Sequence, residues 1–211
     1  MGVEFGVIQN NLTVGANPVP IPQFPTKLIG IQSAAIYAVA ITTPAKQYIV
    51  PFGSLGSPVQ KYVPCVLEIT GNQLNTQVLA VQGSSGSLIW LFGTPTPSDL
   101  KFPATVYAGV IGSLTTSQTS GTASGTITLT FPSGNLKATG IAILLTAIGT
   151  QAQISFTTSA GTTLTLAGFS NEMGGTDLIV PLSNIVLAQT ITVNVTNFSA
   201  MTTYVIIYYA S

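Results

Sequence analysis

The chain has 211 residues, with no histidine, no arginine, five lysines and five acids, so its net charge is zero. Charged residues make up 5% of it, against roughly 25% in an average soluble protein. That balance excludes Ser-His-Asp and Cys-His catalytic sets and histidine-rich zinc sites, and five scattered lysines form no basic stripe for nucleic-acid phosphates.

From the N-terminus, residues 1–6 have no basic region followed by an apolar core, so they do not read as a signal peptide. Gly2 does not open a myristoylation motif, because Gly6 stands where Ser or Thr is needed. Alternation and β-branched content predict strands at 3–14, 27–42, 47–52, 61–70, 76–82, 87–92 and 104–112. Between the first two, residues 15–25 contain Pro18, Pro20, Pro22 and Pro25. Such a run cannot join a central strand. It reads as a polyproline-like connector, or as an arm lying on a neighbouring subunit. The glycines at 53–56 and 83–86 read as turns. Cys65 sits in the apolar run 63–67; a single cysteine excludes an intramolecular disulfide, and Cys65 reads as a small buried hydrophobe. Trp90, within 88–92, reads as core.

Residues 113–125, SLTTSQTSGTASG, are polar, uncharged and rich in Gly, Ser and Thr. They read as a flexible linker or an exposed loop. The clearest alternation follows: Ile127, Leu129 and Phe131 face a core, with Thr126, Thr128 and Thr130 outward. Strands are expected at 124–131, 136–147, 151–157, 162–167, 176–182, 189–196 and 202–210. The last is apolar on both faces, so it should be central or covered. The expected fold is all-β: an antiparallel, jelly-roll-like β-sandwich, built as two small sandwiches in series. The organisation is an N-terminal segment with the Pro-rich arm (1–25), a first sandwich (26–112), a linker (113–125) and a second sandwich (126–211). A single large sandwich is the alternative.

Mean hydropathy is +0.55, yet the apolar runs are shorter than the ~18 residues of a spanning helix or are broken by polar residues. A transmembrane β-barrel is the lesser alternative. Candidates for chemistry are few. Asn171, Glu172 and Asp177 share one loop and could offer oxygens to calcium, but their spacing fits no EF-hand. The loop reads first as turn chemistry in a solvated loop, and calcium is the lesser alternative. Glu68 could serve a two-carboxylate hydrolase only if the fold brought another acid to it. No catalytic, cofactor or metal residue is assigned, and an enzyme is not expected. Sequons stand at Asn11, Asn194 and Asn197, relevant only to an exported protein. With so little charge, the surface should self-associate. Few groups titrate between neutral pH and strong acid, which suits an acidic exterior. Low-complexity drift would leave the same composition.

The short start, the Thr/Ser/Gly-rich strands, the near absence of charge and the tyrosine-rich stretch Thr203-Tyr204-Val205-Ile206-Ile207-Tyr208-Tyr209 are together similar to one family. The chain resembles capsid and vertex proteins of tail-less icosahedral archaeal viruses, the turreted viruses of Sulfolobus and their relatives. The likeness spans the whole chain in style, without a shared motif, so no functional residue is carried over. It implies jelly-roll domains, self-assembly with copies of itself and with other virion proteins, and location in the virion. The major capsid protein of the turreted viruses is a double jelly roll, for which this chain looks too short. Two domains of about 100 residues suit a penton-base or turret subunit better, and a single-jelly-roll capsid protein also stays open. Two other classes compete. One is an extracellular filament or surface-layer subunit, joined by donor-strand exchange through residues 3–14. The other is a receptor- or carbohydrate-binding module, which needs an exposed aromatic cluster.

Overall fold

The computed structural model describes residues 3–21, 27–44, 46–52, 61–69, 71–93, 108–145, 151–170 and 179–210. They fall into two compact units, the first ending with Gly93 and the second beginning at Ala108. Every regular element among them is a β-strand.

Unit 1 contains β1 (Val3–Leu12), β2 (Gly15–Ala16), β3 (Val19–Pro20), β4 (Lys27–Ala34), β5 (Ile36–Thr42), β6 (Gln47–Pro51), β7 (Lys61–Glu68), β8 (Gln73–Val81) and β9 (Gly86–Gly93). One sheet has the order β1-β9-β4-β7, the other β2-β8-β5-β6, with β3 also on β8. Unit 2 contains β10 (Gly109–Thr116), β11 (Ala123–Thr130), β12 (Leu136–Leu145), β13 (Gln151–Thr157), β14 (Thr163–Ser170), β15 (Ile179–Leu187), β16 (Thr190–Asn197) and β17 (Met201–Ala210). Its sheets run β10-β17-β12-β15 and β11-β16-β13-β14.

The two orders are the same once β2 and β3 are counted as one split strand. In each unit the first strand pairs with the last, the last with the third, and the third with the sixth. In the facing sheet the second pairs with the seventh, the seventh with the fourth, and the fourth with the fifth. All pairings are antiparallel, as in β1 on β9 and β10 on β17. Eight strands wound this way are a jelly roll. The chain is therefore not too short for two complete jelly rolls. Its strands have at most ten residues, and several successive ones are separated by only a few residues.

Local sequence explains the strands. Along β11 exposed threonines alternate with buried Ile127 and Leu129, because a strand's side chains point to opposite faces. The unit 2 core gathers Ile127, Leu129, Phe131, Ile154, Phe156 and Val193. Phe131 meets Tyr209 edge-on, with ring centroids 5.7 Å apart. The last strand, β17, is central, paired on both sides with β10 and β12. Residues 205–209 are all buried, so both of its faces are covered. Burial pushes the hydroxyl of Tyr208 well above the usual tyrosine range, and that of Tyr204 up as well. The unit 1 core centres on Trp90, Phe92, Leu28, Ile31, Val39 and Leu88, and the Phe5 and Phe92 rings stack at 5.0 Å.

Several expectations need correction. Residues 113–125 are no linker: 113–116 end β10, 123–125 begin β11, and the turn between them lies inside unit 2. Residues 109–112, expected in the first sandwich, pair with β17. The polar composition misleads because these are edge strands whose Ser and Thr face water. Here β10 and β11 also approach closely. A Cβ on Gly112 would lie 2.1 Å from Ile127 Cγ2, and one on Gly125 would lie 2.7 Å from Leu114 Cδ2. Glycine at both positions is what lets the two sheet edges meet. The expected strand 27–42 is two strands, broken where Ala35 takes φ of 61°. The N-terminal segment is not a detached arm either. β1 is an edge strand of unit 1, and 15–21 run beside β8, with Val19 and Ile21 buried in the same core. The prolines fit because only a sheet edge tolerates them. Residues 22–25 lie outside the described residues.

Candidate interaction surfaces

Of the side chains singled out for chemistry, the described ones, Trp90 and Glu68, take structural places. Trp90 is fully buried, and its indole N–H donates to Gln9 Oε1 at 2.8 Å. Gln9 Nε2 in turn donates to the Pro18 carbonyl at 3.2 Å. Among the described side chains Glu68 meets no second acid. It pairs with Lys27 across β4 and β7 at 2.9 Å, with both side chains solvent-exposed. Such a pair is worth little. Among the described residues no three His, Cys, Asp or Glu side chains come together, and no helix is long and apolar enough to cross a membrane. Asn171, Glu172, Asp177 and the 53–56 turn lie outside the described residues. So does the side chain of Cys65, although its backbone belongs to β7.

The three sequons differ in access. Asn11 and Asn194 are exposed. Asn197 is fully buried in unit 2. Thr203 Oγ1 donates to Asn197 Oδ1 at 2.6 Å, and Asn197 Nδ2 donates to Thr116 Oγ1 at 3.2 Å. This network ties β10, β16 and β17 together, and sequence reading missed it. The signal available was an Asn at the end of an alternating strand, beside a threonine-rich neighbour.

Two of the sheet faces that point away from the cores carry exposed side chains. In unit 2, β11-β16-β13-β14 presents a hydroxyl and amide surface. Thr126 stands opposite Asn194, Asn194 opposite Ser155, and Ser155 opposite Thr165. The neighbouring row brings the Ser124 and Thr196 hydroxyls to 3.3 Å. In unit 1 the outward row of β1-β9-β4-β7 reads Ile8, Ile89, Gln32, Tyr62, each opposite the next. Ile8 is 65% exposed and Tyr62 50%. The exposed aromatics among the described residues, Tyr62 and Phe198, belong to different units.

No protein-family model matches the chain, and no curated protein matches it. Solved structures do. The structure of Sulfolobus turreted icosahedral virus matches at a TM-score of 0.50 and 8% identity, over 97% of this chain and 90% of that one. The likeness is one of fold. It agrees with the strand orders above, and the chain is an all-β, antiparallel jelly-roll protein. The STIV major capsid protein matches at a TM-score of 0.46 and 9% identity, over 97% of this chain and 96% of that one. Discoidin II of Dictyostelium discoideum matches at 0.29 and 11% identity, over 95% and 80%.

Proposed function

We propose that this protein is a virion structural subunit that builds a capsid shell by packing against copies of itself. The observation that carries the reading is the pair of complete jelly rolls with one strand order. Its support is the fold likeness to a turreted icosahedral virus over nearly the whole of both chains. A shell subunit is favoured over a penton-base or turret subunit, because the length argument for a vertex role has fallen away. Assembly would rest on apolar burial, worth roughly 25 cal/mol per Å². A chain with 5% charged residues brings little repulsion to copies of itself. The donor-strand reading loses its donor, since β1 is already paired within its own unit to β9.

The test is light scattering and negative-stain microscopy of the purified full chain across acidic and neutral pH. Closed shells or closed rings are expected. Open-ended fibres would transfer the protein to the filament class, and a monomer under every condition would refute self-assembly.

A further inference from the structure

We infer that the outward face of β1-β9-β4-β7 is a docking surface for the same face of a second copy of this chain. The inference rests on the capsid reading and names the surface it would use.

The face is apolar where a solvated sheet would be polar. Its row Ile8–Ile89–Gln32–Tyr62 crosses all four strands. Among the described residues four large apolar side chains are exposed, and two of them, Ile8 and Tyr62, stand on this row. The contrast with unit 2 is direct. There the outward face of β11-β16-β13-β14 carries Thr126, Thr128, Thr192, Asn194 and Ser155, the ordinary composition of a wetted sheet. Tyr62 also lies flat. Its hydroxyl donates to the Ile29 carbonyl at 3.4 Å, and a Cβ on Gly30 would fall 2.3 Å from the Tyr62 oxygen. Glycine at position 30 thus lets the ring rest on β4, leaving a low, smooth face.

Charge argues that the occupant is a copy of the chain. A face that meets itself brings each ionised group near its own twin, so it must be neutral or internally paired. The four strands carry Glu4, Lys27, Lys61 and Glu68, whose formal charges sum to zero, and Lys27 and Glu68 pair with each other at 2.9 Å. Size sets how strong such a contact can be. Four strands ~4.8 Å apart and seven residues of ~3.4 Å each make a face of about 450 Å². Two such faces bury about 900 Å², below the roughly 1,200–2,000 Å² of a stable pairwise complex. A contact of that size is weak alone and becomes effective when a shell repeats it many times.

The experiment is sedimentation velocity on the purified full chain from micromolar to millimolar concentration, with three single variants. Ile8→Lys changes an exposed edge-strand position, Ile89→Lys a position nearer the middle of the face, and Thr128→Lys the polar face of unit 2. Trp90 emission verifies that unit 1 remains folded in Ile8→Lys and Ile89→Lys, and thermal unfolding followed by circular dichroism does the same for unit 2 in Thr128→Lys. Association should weaken at least about tenfold in Ile8→Lys and Ile89→Lys and stay at the wild-type level in Thr128→Lys. Should Ile89→Lys misfold, Ile8→Lys decides, because its side chain is mostly in water. Wild-type association in Ile8→Lys overturns this surface and leaves the capsid reading standing. Equal weakening by Thr128→Lys also overturns it, since added charge anywhere would then be the cause. A wild-type chain that stays monomeric at millimolar concentration overturns both readings.

Discussion

Replacing Gln9 by alanine removes the acceptor of the Trp90 indole N–H, a 2.8 Å bond that joins β1 to the fully buried tryptophan on β9. A buried donor left without a partner costs about 1–3 kcal/mol. Gln9 is half-buried on an edge strand, so water can enter part of the space, and the expected loss is about 1–2 kcal/mol. The bond from Gln9 to the Pro18 carbonyl is exposed and adds little, because water replaces it. With a urea slope of about 2 kcal/mol/M, the unfolding midpoint should fall by roughly 0.5–1 M. The assay is built into the chain. It has a single tryptophan, held in the unit 1 core, so indole emission during urea unfolding follows unit 1. The native emission of the variant should shift as well, since the indole loses its hydrogen bond. An alanine variant with the wild-type midpoint and emission would refute the account of Gln9 as the link between β1 and the core.

Gly112→Ala should destabilise unit 2 by about 1–3 kcal/mol through overpacking, because its Cβ would lie 2.1 Å from Ile127 Cγ2. Thermal unfolding followed by circular dichroism reads it, and an unchanged midpoint would mean that β10 and β11 are not held so close. At alkaline pH the burial of Tyr208 sets the sign. Its folded-state value lies above the ordinary 10.0, so folding favours the neutral hydroxyl. That contribution is complete below pH 10 and is lost progressively as the unfolded chain ionises above it. Stability measured in denaturant should therefore fall from about pH 10 upward, and Tyr208→Phe should flatten the fall. An equal fall in the variant would assign the effect to other groups.

Where a strand has one wet face and one dry face, the sequence announces it. Ile127, Leu129 and Phe131 against Thr126, Thr128 and Thr130 name both the strand and its inward side. The doubly apolar run 204–209 likewise announces a strand covered on both faces, because an apolar face left in water would be costly. Edges are harder to read. The segments 113–116 and 123–125 have linker composition because edge strands beside water use the same residues as loops. The short strands Gly15–Ala16 and Val19–Pro20 exist only because β8, some sixty residues away, lies beside them. Ala35 breaks a long strand-like run, and no glycine or proline stands at the break to mark it. The outward face of unit 1 was equally hidden. Ile8, Ile89 and Tyr62 are unremarkable in their own segments and become a surface only through cross-strand register.

That pairing order also bears on how the chain comes to be folded. The first strand of unit 1 finds its partner only at Gly86 and beyond, and β10 waits in the same way for residues from Met201 onward. At about 5–20 residues per second, a ribosome keeps β1 without its partner for roughly 4–16 s. During that time Phe5, Val7 and Ile8 are exposed on a strand with open backbone on both sides. Long-range pairing of this kind folds slowly, and nascent chains crowded on one message present such strands to each other. The step at which these copies are most apt to join wrongly thus comes during synthesis, before either jelly roll has closed.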